Sequence, residues 1–157
     1  MGNICRSPAA EGIAKNILKN RGLNETIEID SAGTLGYHTG ESPDQRMIKH
    51  ASKRGYTLDS AARQFDAKKD FDEFDYIVTM DDDNYSEITS LDRKNKHKNK
   101  IFKMVSFGNN TQVNEVPDPY YSGSQGFELV LDILEDSVEG LIKKVQDDIR
   151  RENKKEN

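Results

Sequence analysis

The run Gly2-Asn3-Ile4-Cys5-Arg6-Ser7-Pro8 leads straight into a segment with helical apolar spacing, and this junction limits what the chain can build. Successive backbone N–H groups of a Gly-containing loop, continued by the free N–H groups of a helix N-terminus, form an anion cradle. Gly2 and Asn3 are residue types that tolerate left-handed backbone angles, which a tight concave loop requires. Arg6 adds a planar guanidinium fork that matches two phosphate oxygens at once. Ser7 is expected to cap the helix, and Pro8 suits its first turn.

Helices and strands alternate after that junction. Residues 7–20 read as a helix with Ala9, Ala10, Ile13, Ile17 and Leu18 on or near its buried face, stopped at Gly22. Residues 27–30 read as a short strand. Ser42 and Gln45 suggest a capping box for a helix carrying Met47, Ile48 and Ala51 and closed by Gly55. Residues 76–80 and 101–105 read as strands and 83–91 as a short helix. A final helix over about 127–150 carries Leu129, Val130, Ile133, Leu134, Val138, Leu141, Ile142, Val145 and Ile149. The expected class is α/β: a four-stranded parallel sheet with helices on both faces and ligands at the carboxyl ends of the strands.

At 157 residues the chain is expected to form one domain, 1–157, with 146–157 a polar C-terminal tail. No repeat or linker divides it. A net charge of −5 argues against nucleic acid as a partner. The basic run 93–100 lacks interleaved aromatics and reads as a solvated loop. The single cysteine excludes an internal disulfide framework and suits a reducing compartment. No apolar run has the length of a membrane span, so a cytoplasmic location without membrane contact is expected. His38, His50 and His97 lie in no metal-like spacing and read as surface or loop residues, so no metal or cofactor is implied.

A second motif, Pro117-Asp118-Pro119-Tyr120-Tyr121, sets an acid between two prolines on a stiff, non-helical loop. Taken with Gly2-Asn3-Ile4-Cys5-Arg6-Ser7-Pro8, it resembles the low-molecular-weight protein tyrosine phosphatases in motif order and spacing. Asp30-Ser31-Ala32-Gly33-Thr34 with Tyr37, Ser42-Pro43-Asp44 with Arg46, Ala62-Arg63-Gln64, and Phe74-Asp75-Tyr76-Ile77 through Met80-Asp81 extend the resemblance to about Val145. It implies that Gly2, Asn3, Ile4, Cys5, Arg6 and Ser7 bind phosphate, and that Arg6 stabilises the transferring phosphoryl group. It also implies that Asp118 is the general acid and that Tyr37, Tyr120 and Tyr121 flank the substrate ring. The implied substrates are a phosphotyrosine protein or a small aryl phosphate, with phosphate-like anions as further ligands.

In that family the loop begins with a nucleophilic Cys, and this position falls one residue before Met1. The second Cys, matched by Cys5, is not the nucleophile; in the family it can trap the oxidised nucleophile as a disulfide, and otherwise it packs the loop. The first strand of the family's sheet, roughly five or six residues, would likewise precede Met1, between the strands at 27–30 and 76–80. The expectation is a start read too late, at a Leu codon written as Met. Two further implications divide the family. Arsenate reductases relay electrons through downstream cysteines, which this chain lacks, and phosphoarginine phosphatases tend to carry Thr at the Ile4 position and Phe in the acid loop. Ile4 and the Tyr120–Tyr121 pair favour phosphotyrosine. The alternative from another class is an inactive phosphate- or phosphotyrosine-binding module, which has no use for Asp118. Asp81 is read either as orienting the loop or as capping a helix.

Overall fold

The computed structural model describes residues 1–110 and 112–156. Helix α1, Arg6–Asn20, buries Ala9, Ala10, Ile13, Ala14 and Leu18, and the chain turns away at Gly22 with φ 66°. The expected Ser7 cap does not form. Helical geometry already begins at Arg6, so Cys5 takes the cap position without a side-chain bond and Ser7 falls inside the first turn. Pro8 shares that turn, where a missing N–H removes no helical bond.

Helix α2, Gln45–Lys53, is capped by Asp44 and not by the expected Ser42–Gln45 box. Asp44 immediately precedes the helix, and its carboxylate accepts from the Arg46 N–H at 2.9 Å. A one-turn helix α3, Asp70–Glu73, precedes strand β1, Ile77–Thr79. Helix α4, Asp82–Leu91, leads towards strand β2, Ile101–Lys103, and a tight turn over Met104–Phe107 follows. Helix α5, Ser124–Lys155, runs through most of the segment expected to be a polar tail. Ion pairs along its surface, Lys144–Asp148 at 2.8 Å and Asp147–Arg150 at 3.6 Å, sit at helical spacing and suit continuation of the helix.

β1 and β2 pair in parallel, Ile77 opposite Ile101 and Thr79 opposite Lys103. Their alternation divides two apolar clusters. Ile77 and Ile101 pack with Phe71 and Ile88 on one face, while Val78 and Met80 join the main core of α1 and α5 on the other. The sheet among the described residues has these two strands, not four, with a single parallel bridge between Gly33 and Gln64. Residues 27–30 form no ladder. They and β1 both line a cavity of ≈ 790 Å³, together with Met1, Ala10, Ala14, Val138 and Ile142. Among the described residues, 27–30 pairs with no other strand.

On its other side α5 meets the 104–107 turn closely. A Cβ at Gly140 would lie 1.9 Å from the Phe107 carbonyl oxygen, so only glycine permits this approach.

Candidate active site

The phosphate loop is held from three directions. Asn3 is buried and takes the left-handed conformation at φ 61°. Its amide donates to Ser31 Oγ at 2.9 Å, and its Oδ1 accepts from the Arg63 N–H at 3.1 Å. The Ile4 carbonyl accepts from the Asp44 N–H at 2.7 Å, tying the loop to the start of α2. Gly2 does not adopt the left-handed angle expected of it. Its lack of a side chain serves close packing, since a Cβ there would meet His38 Cδ2 at 2.5 Å. Ser31 Oγ in turn donates to Glu11 Oε2 at 2.5 Å, and Lys15 Nζ donates to Glu11 Oε1 at 2.6 Å. Sequence reasoning missed Glu11; the available signal was an acid four residues after Ser7 among buried positions of α1. Ser7 lines the cavity behind the loop.

Arg6 is 5% exposed at the start of α1. Its Nη1 donates to Asp81 Oδ2 at 2.7 Å and to the Val116 carbonyl at 2.8 Å. Asp81 therefore performs both roles that its position left open, because its Oδ1 also accepts the Asn84 N–H at 2.7 Å as the cap of α4. Burial by itself would raise the Asp81 pKa. The Asn84 N–H and the Arg6 guanidinium outweigh it and hold the carboxyl below its ordinary value.

Cys5 is buried, and its thiol is pushed up to about 12, first by burial and then by the Asp44 carboxylate, with Arg6 only partly opposing them. Such a thiol is neutral at physiological pH and unsuited to attack.

The acidic motif reaches the same end of the sheet. Val116 N–H donates to the Met80 carbonyl at 2.8 Å, Pro119 is buried, and the Tyr120 N–H donates to Asp118 Oδ1 at 3.0 Å in a local turn. Asp118 itself is exposed. Tyr120 packs edge-on against Tyr121 with ring centres 4.9 Å apart, and the Arg46 guanidinium lies 5.2 Å from the Tyr120 ring and 4.9 Å from that of Phe127. Asp44 grips Arg46 through two hydrogen bonds, at 3.1 and 2.9 Å. This pair fastens the acid loop to α2, a role that the spacing of Ser42-Pro43-Asp44 did not disclose. Tyr121 is 95% exposed and Tyr37 84% exposed, so the structure does not bring them into a closed wall with Tyr120.

Met1, half exposed, precedes the phosphate loop, and its amino group feels the same charges. Burial and then Arg6 lower its pKa, while Asp81 and Asp118 act in the opposite sense. The histidines depart from their expected surface placement in one case. His50 is buried in α2, stacked on Phe127 at 5.5 Å with Nδ1 2.6 Å from Glu128 Oε1. Among the described residues no helix is long and apolar enough to cross a membrane.

An anion loop at a helix start, an arginine anchored by Asp81 and an acid between two prolines, all at one end of a parallel sheet, define a phosphate-ester enzyme scaffold. The chain belongs to the low molecular weight phosphotyrosine protein phosphatase family, whose model matches residues 1–152. It is 46% identical over 142 residues to a Synechocystis protein named as a low molecular weight protein-tyrosine-phosphatase, covering 90% of each chain. The crystal structure of a protein tyrosine phosphatase from Entamoeba histolytica, with Hepes in its active site, superposes with TM-score 0.88 at 48% identity, covering 94% of this chain and 93% of that one. A Drosophila arginine phosphatase superposes with TM-score 0.84 at 29% identity, covering 92% and 93% respectively.

Proposed function

We propose that residues 1–157 form the single-domain body of a cytoplasmic phosphatase that hydrolyses phosphotyrosine monoesters through a phosphocysteine intermediate. In this reading the attacking thiolate comes from a cysteine directly ahead of Met1, at the end of a strand that completes a four-stranded parallel sheet. The observation that supports it is Arg6 at the start of α1, donating to Asp81 Oδ2 at 2.7 Å and to the Val116 carbonyl, next to the Pro117-Asp118-Pro119 motif, at 2.8 Å.

The loop amides of residues 2–7 and the Arg6 guanidinium hold the phosphate oxygens and the charge that builds on them in the transition state. The thiolate attacks phosphorus, the bond to the aryl oxygen breaks, and Asp118 passes its proton to the departing phenolate. Asp118 then takes a proton from water, the water oxygen attacks phosphorus, and the S–P bond breaks. Inorganic phosphate and the thiolate are released. Arg6 must turn at least part of its fork from Asp81 and Val116 towards the phosphate. Tyr120 and Tyr121 offer an aromatic surface to a phenyl ring, which with Ile4 favours phosphotyrosine over the phosphoarginine of the Drosophila relative's class.

The second reading is an inactive phosphate-binding module, favoured by the one observation that Cys5 is buried and protonated. Extending the chain by an apolar strand ending in Cys decides between them. The extended form should hydrolyse phosphotyrosine and a small aryl phosphate, and the same extension ending in Ser should not. Robust turnover by the 157-residue form that vanishes in Cys5→Ser would overturn the assignment. The codons immediately upstream of Met1 supply an independent check, and an in-frame stop there would favour the binding module.

A further inference from the structure

The loop that carries Asp118 is fixed firmly at its start. Val116 donates to the Met80 carbonyl at 2.8 Å and accepts from Arg6 at 2.8 Å. Beyond it, the hydrogen bonds of 117–122 among the described residues stay inside the loop: the Tyr120 N–H to Asp118 Oδ1 at 3.0 Å and the Ser122 N–H to the Pro119 carbonyl at 2.9 Å. They fold the loop on itself without aiming it. Pro119 is buried, which seats the loop on the body. The directed contact to the rest of the site is made by a ring, with the Arg46 guanidinium 5.2 Å from the centre of Tyr120 and 4.9 Å from that of Phe127.

Arg46 is itself held. Asp44 accepts from its Nε at 3.1 Å and its Nη2 at 2.9 Å, which fixes the plane of the fork and leaves its face to the rings. The Asp44 N–H donates to the Ile4 carbonyl at 2.7 Å, within the phosphate loop. Ile4 to Asp44, Asp44 to Arg46 and Arg46 to Tyr120 thus form an unbroken chain of contacts from the anion cradle to the residue two beyond the acid. A general acid acts only within hydrogen-bond reach of the leaving oxygen, and a shift of about 1 Å can cost on the order of a hundredfold in rate.

We propose that Arg46 is a positioning residue for the acid step, setting through the Tyr120 ring where Asp118 stands relative to the phosphate loop. The role rests on the reading above for the identity of the acid. Arg46 neither gives nor takes a proton: Asp118 protonates the aryl oxygen as the P–O bond breaks and recovers a proton from water. The Arg46 side chain is 48% exposed, so its loss leaves no hole in the core. Its backbone N–H, which caps α2 by donating to Asp44 at 2.9 Å, survives any substitution except proline.

The test compares two esters in the Cys-extended enzyme. Arg46→Met should lower kcat/KM for phosphotyrosine about tenfold more than for an ester of an activated phenol, which needs no acid. Arg46→Lys, which keeps a cation near the ring, should restore part of the difference. Tyr120→Leu, which removes the ring and leaves Arg46 in place, should reproduce it. In Asp118→Asn, where no acid remains to be placed, adding Arg46→Met should leave the ratio between the esters unchanged. Chymotrypsin cleavage of the 157-residue chain reads the hold apart from activity. Arg46→Met should speed cleavage after Tyr120 and Tyr121 about threefold, while cleavage after Tyr85 of α4 keeps the parent rate. Equal losses for the two esters would make Arg46 a substrate-binding group and overturn the proposal. A parallel rise in cleavage after Tyr85 would also overturn it, by showing a general loosening of the fold. If the Cys-extended chain has no turnover, the catalytic reading falls, and the cleavage rates still decide whether Arg46 holds the loop.

Discussion

Asp81 joins two distant elements with one carboxylate, bonding Arg6 of the phosphate loop at 2.7 Å through Oδ2 and the first turn of α4 through Oδ1. Asp81→Ala removes the cap, worth about 1 kcal/mol, and strips a buried arginine of its ion pair, a loss of about 3–5 kcal/mol that the Val116 carbonyl partly offsets. Asp81→Asn keeps a capping oxygen and should cost less. Urea unfolding of the two variants checks the order. Equal losses would show that the capping oxygen contributes nothing.

The same carboxyl predicts an acid limb. Its folded pKa lies below the ordinary 3.8, so in that window the unfolded chain binds the proton more readily and stability rises with pH. The contribution is complete above about pH 4 and is lost as pH falls through the folded value. Melting temperatures measured from pH 2 to 7 should fall less steeply at the acid end in Asp81→Asn than in the parent.

Cys5 should behave in the opposite direction. With its thiol pushed up to about 12 from 9.0, the unfolded chain ionises first, so stability falls as pH rises above about 9. Cys5→Ala should flatten that alkaline fall. Iodoacetamide at pH 8 should leave the folded chain unmodified and label the urea-unfolded chain, and rapid labelling of the folded form would contradict the burial.

In the Cys-extended enzyme, Asp118→Asn should slow phosphotyrosine far more than esters of activated phenols, because only a basic leaving group needs its proton. Arg6→Lys should slow both classes alike, by an amount on the order of a few kcal/mol in kcat/KM, since an ammonium cannot reproduce the two-pronged contact. A loss from Asp118→Asn that ignores the leaving group would move the acid elsewhere, with Asp81 the next residue to substitute.

Gly140→Ala tests the contact between α5 and the 104–107 turn. In an open helix the change would stabilise by up to about 1 kcal/mol. Here the new methyl meets the Phe107 carbonyl at 1.9 Å, and a net loss of about 1–3 kcal/mol is expected. A denaturation midpoint at or above the parent's would show that the helix yields.

Much of this arrangement was legible before the structure. The helical spacing of Ala9, Ala10, Ile13 and Leu18 located α1, and the two motifs singled out Arg6 and the Asp118 loop, whose neighbour Val116 the Arg6 guanidinium reaches. Cap identities were less legible: Asp44 and Ser42 are both good capping residues, and a one-residue shift in a helix start decides between them. The strand expected at 27–30 failed for a different reason. Its sequence suits a strand, yet a strand exists only beside a partner, and pairing is not written in four residues. Glu11 and the Arg46–Tyr120 contact were hidden because each depends on segments brought together only by folding.

Asn3 fastens the loop of residues 2–7 to residues 31 and 63, so its shape is held by the protein's own side chains without any anion. In the proposed role, a loop held in this way is expected to favour tetrahedral oxyanions such as phosphate and vanadate over planar nitrate or acetate. Selectivity of this kind would come from the fold and not from the attacking sulfur, so an inhibitor built on the anion alone would not distinguish working copies of the enzyme from idle ones.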